Sequence, residues 1–199
     1  MKRLLICLIC LGMLAGCTRT KDAKAEYDAK YESHYIQLME NTRFSDASFY
    51  YTLNAERVQL DDGSYCYYIT VDDPQVAMMD IVIIAVENNV AFQDSLNMMP
   101  SMGIYGEDHY HMVPFQVDLE KGFVKGITIS GETTSEVSDI KFMITWNNYM
   151  RNRQYSEFIA FTLTDETPTY QTQKMTVVDT DDEEQATDED TETEVEDNE

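Results

Sequence analysis

Residues 98–112 bring Met98, Met99, Met102, His109, His111 and Met112 into one short stretch. In a strand, residues two apart share a face, so His109 and His111 would stand about 7 Å apart at ~3.3 Å rise per residue. Imidazole with thioether is a soft donor set that suits copper, chiefly Cu(I) at the sulfur. The same residues have a plainer use. Methionine fills gaps in cores, and the chain spends Met78, Met79 and Met143 in apolar stretches where no metal is in question. Gly103 and Gly106 also allow a bent connector here. Envelope copper binding through His109, His111, Met102 and Met112 is therefore the alternative reading, and the leading one calls for no metal and no cofactor.

The other reactive side chains form no recognisable machinery. The chain has no Gly-x-Ser-x-Gly elbow, no phosphate-cradling Gly-Lys-Ser/Thr loop and no His-Glu-x-x-His. Asp61-Asp62, Asp72-Asp73 and Glu107-Asp108 are paired carboxylates, but each pair falls in a turn, where Asp caps backbone groups and stays solvated. Asp61-Asp62-Gly63 lacks the alternating oxygen ligands of a calcium loop. The reading is of a non-enzymatic protein, with a hydrolase whose acids assemble only in the fold as the remotest alternative.

Tyrosine offers a different kind of surface. Tyr50-Tyr51, Tyr65, Tyr67-Tyr68, Tyr105 and Tyr110 supply rigid amphipathic rings, which suit protein recognition and also favour strands. Alternation gives Tyr65 and Tyr67 the face of Ile69 and Val71, which is the expected core. Tyr50, Tyr68 and Thr52 are then the surface residues, with Tyr50 and Tyr68 the candidates for a partner surface.

The first seventeen residues carry an address. Lys2 and Arg3 precede an apolar stretch over residues 4–14, which is too short for the ~20 residues a membrane-spanning helix needs. It fits the apolar region of an export signal, ~7–15 residues long. Leu14-Ala15-Gly16-Cys17 then resembles the bacterial lipobox. That resemblance implies cleavage after Gly16, a diacylglyceryl group on Cys17 Sγ, and palmitate-type lipid at the mature N-terminus. Two acyl chains hold a protein stably on a bilayer, where one is marginal. Cys7 and Cys10 would leave with the signal, so only Cys66 remains, in a strand where a buried thiol is expected. The mature chain then has no internal disulfide.

Composition narrows the partners. The formal charge is −23, and residues 179–199 hold 13 acids and no base. Such a chain is a poor match for nucleic acid, whose phosphates require Lys and Arg. It is equally poor for anionic lipid head groups beyond the anchor itself. The expected partner is another envelope protein, reached on the extracytoplasmic side of the membrane.

Four regions position these residues: a signal peptide at 1–16, a lipidated N-terminus with tether and amphipathic helix at 17–45, a β-sandwich at 46–178, and a disordered acidic tail at 179–199. Residues 18–26 read as a polar tether. Ala23, Tyr27, Tyr31, Tyr35 and Leu38 or Met39 recur at helical spacing, and their stripe is expected to dock on the domain. The tail has almost no apolar residues with which to offset its ordering entropy.

Strands are expected over 48–60, 65–71, 79–87, 102–105, 110–117, 123–130, 140–146 and 155–163. Gly63 closes the first hairpin, and Pro74 ends the second strand. Residues 81–86 are apolar on both faces, as in a central strand covered on each side. The expected fold is a mainly β, antiparallel, immunoglobulin-like β-sandwich, with a closed barrel as the competing arrangement. The likeness to immunoglobulin domains is architectural, since the Cys pair flanking a Trp is missing. The whole also resembles uncharacterised Gram-positive lipoproteins with an immunoglobulin-like domain, through the lipobox alone.

Overall fold

The computed structural model describes residues 18–94, 99–105 and 109–174. The signal segment with Cys17, the Glu107-Asp108 pair and the acidic tail lie outside these residues. Helix α1 (Thr18–Glu40) opens the described chain. It is followed by β1 (Ala47–Ser48), β2 (Thr52–Gln59), β3 (Tyr65–Asp72), β4 (Met79–Glu87) and β5 (Ser101–Met102). Then come β6 (Ile127–Thr133), β7 (Ser138–Asn147), β8 (Gln154–Leu163), β9 (Thr169–Gln171) and β10 (Gln173–Lys174).

Two four-stranded sheets result, in the orders β6-β3-β2-β9 and β5-β4-β7-β8. Every pairing within them is antiparallel. The short β1 and β10 pair in parallel beside them. Alternation fixes the faces: β3 buries Tyr65, Tyr67, Ile69 and Val71 and leaves Tyr68 exposed. Leu53, Ile69 and Ile129 of the first sheet meet Ile83, Phe142, Ile144 and Trp146 of the second in one core. The stacked rings of Phe161 on β8 and Tyr170 beside Gln171 on β9 join the sheets along one margin, 4.4 Å between centroids.

A third layer explains why β4 is apolar on both faces. Ile81, Ile83 and Ala85 enter the core between the sheets, while Ile84 and Val86 point the other way into a second core with Tyr31 and Leu38 of α1. The Tyr35 hydroxyl donates to the Val90 carbonyl at 2.7 Å and ties the helix to the chain leaving β4. The helix therefore crosses the second sheet. Its early residue Tyr27 packs on Tyr105 beyond β5, and Ser45, just past its end, donates its N–H to the Phe158 carbonyl on β8. Residues 18–26, expected as a tether, are the first turns of this helix. No Gly or Pro interrupts residues 18–40, and Ala, Lys and Glu there are strong helix formers. No described helix is long and apolar enough to cross a membrane.

Four expected strands differ: 48–60 is broken by a bend into β1 and β2, 102–105 is extended only at Ser101–Met102 because Gly103 turns at φ +76°, and 110–117 and 123–130 depart further. Residues 110–117 form no ladder and are held by isolated bridges, Met78 to Met112 and His111 to Phe123. Pro114 has no N–H to give, and Phe115 turns with φ +62°, so extension stops there. The strand expected at 123–130 lies at Ile127–Thr133, with Gly131 inside it. An added Cβ at Gly131 would stand 2.3 Å from the Tyr67 hydroxyl oxygen, so only glycine admits that ring.

Candidate functional site

The bends at residues 73–78, 109–126 and 148–153 gather at one end of the sandwich, where β3 ends, β4 begins and β7 turns into β8. Backbone hydrogen bonds lock the first two together: Met78 and Met112 exchange both N–H···O bonds, at 2.7 and 2.9 Å. The Tyr110 carbonyl accepts from the Ile81 N–H at 2.9 Å. The third joins through Arg151, whose Nε donates to Asp80 Oδ2 at 2.8 Å.

Asp80 is the hub, and a bulge puts it there. Met79 pairs with Asn147 and Val82 with Thr145, so β4 takes one residue more than β7 across that interval. Asp80 absorbs the surplus with φ +51°. A bulge of this kind re-aims a side chain that alternation would have placed elsewhere. Its carboxylate accepts from Arg151 and, at 3.3 Å, from Asn147 Nδ2, and it lies 3.5 Å from His109 Nδ1. Its backbone N–H donates to His111 Nδ1 at 2.9 Å. The proton of neutral His111 therefore sits on Nε2. The ring is buried edge-on against Phe123, at 5.1 Å between centroids.

Burial dominates the His111 titration and lowers it below the ordinary histidine value, with the Asp80 charge opposing. For Asp80, burial pushes the carboxyl upward. Hydrogen bonds from Arg151 and Asn147, with the Arg151 charge, outweigh that and hold it below the usual carboxylate range. The cluster is a neutral imidazole under a carboxylate that is already neutralised by a guanidinium. Its chemistry is that of a brace for three loops.

The residues of the copper reading range from the exposed His109 to the wholly buried Met112. His109 and His111 both reach Asp80, but the Nδ1 lone pair of His111 is taken by a backbone N–H. Met112 is wholly buried in the core, and Met102 packs against that core from β5. No group of three or more His, Cys, Asp or Glu placed to hold a metal occurs among the described residues.

The two tyrosine candidates part company. Tyr68 is exposed in the middle of the outer face of the first sheet, among Asn54, Glu56 and Thr70. Tyr50 is half-buried at the loop end, 5.3 Å from the Trp146 ring and 6.0 Å from Tyr155. With Val76, Tyr149 and Met150 it walls an apolar groove of about 300 Å³. A larger cleft of about 650 Å³ lies between the Asp72–Gln75 bend and residues 113–117.

Exposure distinguishes this end from the others. Phe115 is fully exposed, and Val117, Leu119, Tyr149 and Met150 are each more than half exposed. Of the six non-glycine residues with positive φ among the described residues, four lie there and two, Asn88 and Asn89, at the opposite end. Asp73, Asp80, Phe115 and Arg151 have φ between +48° and +62°, which costs non-glycine residues about 1–3 kcal/mol each. The exposed apolar residues are hidden in the sequence because Phe115 and Val117 continue a strand-like alternation, while Leu119, Tyr149 and Met150 sit in bends with no periodicity. The dipeptide Pro114-Phe115, an aromatic at a turn, was the available signal.

No protein-family model, curated protein or solved structure matches the chain.

Proposed function

We propose that the chain is a lipid-anchored extracytoplasmic protein, held at the membrane through Cys17, whose sandwich is a non-enzymatic binding or assembly module. The partner is another envelope protein, and the recognition surface is the loop end. The observation that carries this is the concentration of Phe115, Val117, Leu119, Tyr149 and Met150 as exposed apolar side chains on bends of one end. Surfaces that expose contiguous large apolar groups rimmed by polar ones mark sites of association. Loops set on a rigid scaffold are where recognition residues concentrate.

Topology supports an immunoglobulin-like reading of the sandwich. Taking β2, β3, β4, β5, β6, β7 and β8 as strands A, B, C, C′, E, F and G, the sheets run A-B-E and C′-C-F-G, with β9 added at the edge of A. We read this order as immunoglobulin-like; in antibody variable domains the B–C and F–G loops carry antigen contacts at one end. The corresponding bends here, 73–78 and 148–153, are two of the three that form the loop end. The likeness is one of architecture.

Helix α1 bears on the anchor. It starts at Thr18, the residue after Cys17, and its later turns are packed on the second sheet. An anchor at Cys17 is thereby coupled to the domain through helix, with the acidic tail at the other end of the sequence.

Two experiments test the reading. Palmitate should label the wild-type protein and leave Cys17→Ala unlabelled; label on the variant would remove the anchor from the account. Crosslinking the lipidated protein in its own cells should recover a stoichiometric envelope protein that is lost from the double variant Phe115→Ala, Met150→Ala. Equal recovery with that variant would place recognition elsewhere.

A further inference from the structure

The hydrogen-bond polarity of the first sheet can be followed from its hairpin to its outer strand. The Leu60 N–H donates to the Ser64 carbonyl at 2.8 Å, so these two residues form a hydrogen-bonded pair. Antiparallel pairs alternate between bonded and non-bonded. Thr52, Asn54, Glu56 and Val58 of β2 therefore bond to β3, which leaves Leu53 and Arg57 for the other side. The bonds from the Thr172 N–H to the Leu53 carbonyl and from the Arg57 N–H to the Pro168 carbonyl agree with that polarity. One strand further, Tyr67, Ile69 and Val71 of β3 bond to Gly131, Ile129 and Ile127 of β6. The N–H and C=O groups of Thr128, Ser130 and Glu132 are left pointing out of the sheet.

β6 ends the sheet order β6-β3-β2-β9, and no described residue bonds to these outward groups. The side chains of Thr128, Ser130 and Glu132 are exposed, while Ile127 and Ile129 are buried. The other sheet edges are short or covered. β5 and β9 have two and three residues, and β8 is met by Ser45, whose N–H donates to the Phe158 carbonyl at 2.9 Å. β6 runs for seven residues with no Lys, no Pro, no bulge and no inward-pointing charge, the devices by which natural edges refuse a further strand.

Such an edge takes an extended backbone, since only that matches N–H and C=O groups repeating roughly every 6.8 Å. The side chains select which one. Set antiparallel to itself about Ser130, β6 pairs Ser130 with Ser130 of a second copy and Thr128 with Glu132, and all the outward backbone groups are satisfied. Each carboxylate then faces a hydroxyl and not the other carboxylate. The Thr70 and Thr128 hydroxyl oxygens lie 2.9 Å apart, so Thr70 can donate to Thr128 and leave the Thr128 proton for Glu132 of the second copy. The two-fold axis of this pair stands normal to the sheet. It keeps α1 of both copies on one side, as two anchors in one bilayer would require.

We propose that β6 is a self-association edge, at which two copies join antiparallel about Ser130 into one continuous sheet. Strand pairing alone falls short of the ~1,200 Å² that stable complexes bury, so the dimer forms at high local concentration. This surface is distinct from the loop end and does not depend on it.

Disulfide trapping tests the register on the full chain and captures even a short-lived pair. In the proposed register the two Ser130 Cα atoms stand about 5.5 Å apart, within reach of a disulfide, while the two Thr128 Cα atoms are more than about 13 Å apart. Cys66 sits opposite Glu132 on the neighbouring strand, so both variants are made in Cys66→Ala protein, whose own behaviour is the baseline. Under mild oxidation Ser130→Cys should shift to twice the monomer mass and return on reduction, with Thr128→Cys at the baseline. In the wild type, amide exchange at positions 128, 130 and 132 should slow as protein concentration rises. No dimer from Ser130→Cys, equal dimer from both positions, exchange unaffected by concentration, or a disulfide to a different protein on oxidation in cells overturns the proposal.

Discussion

Single residues at the loop end combine strain with exposure, and both can be measured. Phe115 holds φ +62° with its ring in solvent. Phe115→Gly relieves the left-handed strain while adding freedom to the unfolded chain, so unfolding free energy should stay within about 1 kcal/mol of wild type. A loss of about 3–5 kcal/mol, typical of a buried Phe, would show that the ring is packed. His111 provides the pH test. Its folded pKa lies below 6.5, so between 6.5 and that lower value the unfolded chain binds the extra proton. Stability is therefore intact above this window and falls as pH drops through it. His34, also lowered by burial and by Lys30, adds to the same slope. A denaturant midpoint at about pH 7.5 should exceed that at about pH 5.5, and the His111 ring resonance should titrate with a midpoint below 6.5. A midpoint above 6.5 would mean that the Asp80 charge outweighs burial.

At the scale of elements, helix α1 and the bulge of β4 do the positioning. Leu38 is fully buried between the helix and the second sheet. Leu38→Ala should cost about 2–5 kcal/mol in denaturant unfolding, whereas a free helix would lose well under 1 kcal/mol. Gly103 is a second support, since it turns at φ +76° with its Cα against the Ile81 carbonyl, where an added Cβ would stand 2.2 Å from that oxygen. Gly103→Ala should therefore destabilise by more than about 1 kcal/mol and shift the amide resonances of Asp80 and Val82. Periodicity in the sequence located central elements but did not order them into sheets or reveal β9 and β10: the strand at 65–71, the doubly apolar run at 81–86 and the stripe through Tyr31, Tyr35 and Leu38 lie where the structure uses them. Residues 110–117 misled because their apolar alternation is strand-like, while Pro114 and the positive φ of Phe115 break the chain between its bridges. Asp80 was illegible for a related reason. A bulge leaves no mark in composition, so nothing in the sequence tied residue 80 to His109, His111 and Arg151.

For the whole molecule, the two ends of the sandwich have opposite characters. One end buries the charged Arg57 and Glu87, and the other is open and apolar at the tips of its bends. Only the second offers a partner accessible surface in which rigid rings and flexible Met are set on braced loops, the composition that interface cores favour. The exposed sheet face around Tyr68 is its competitor. It holds a cleft of about 410 Å³ in which Tyr68 and Tyr170 stand among the polar Asn54, Glu56, Thr70 and Gln171. Site-specific photocrosslinking of the lipidated protein in its own cells, from positions 115, 150 and 68 in turn, separates the two surfaces most directly. The account predicts one discrete crosslinked product with another protein from positions 115 and 150 and none from 68. Such a product from 68 alone, or none from 115 and 150, would contradict it.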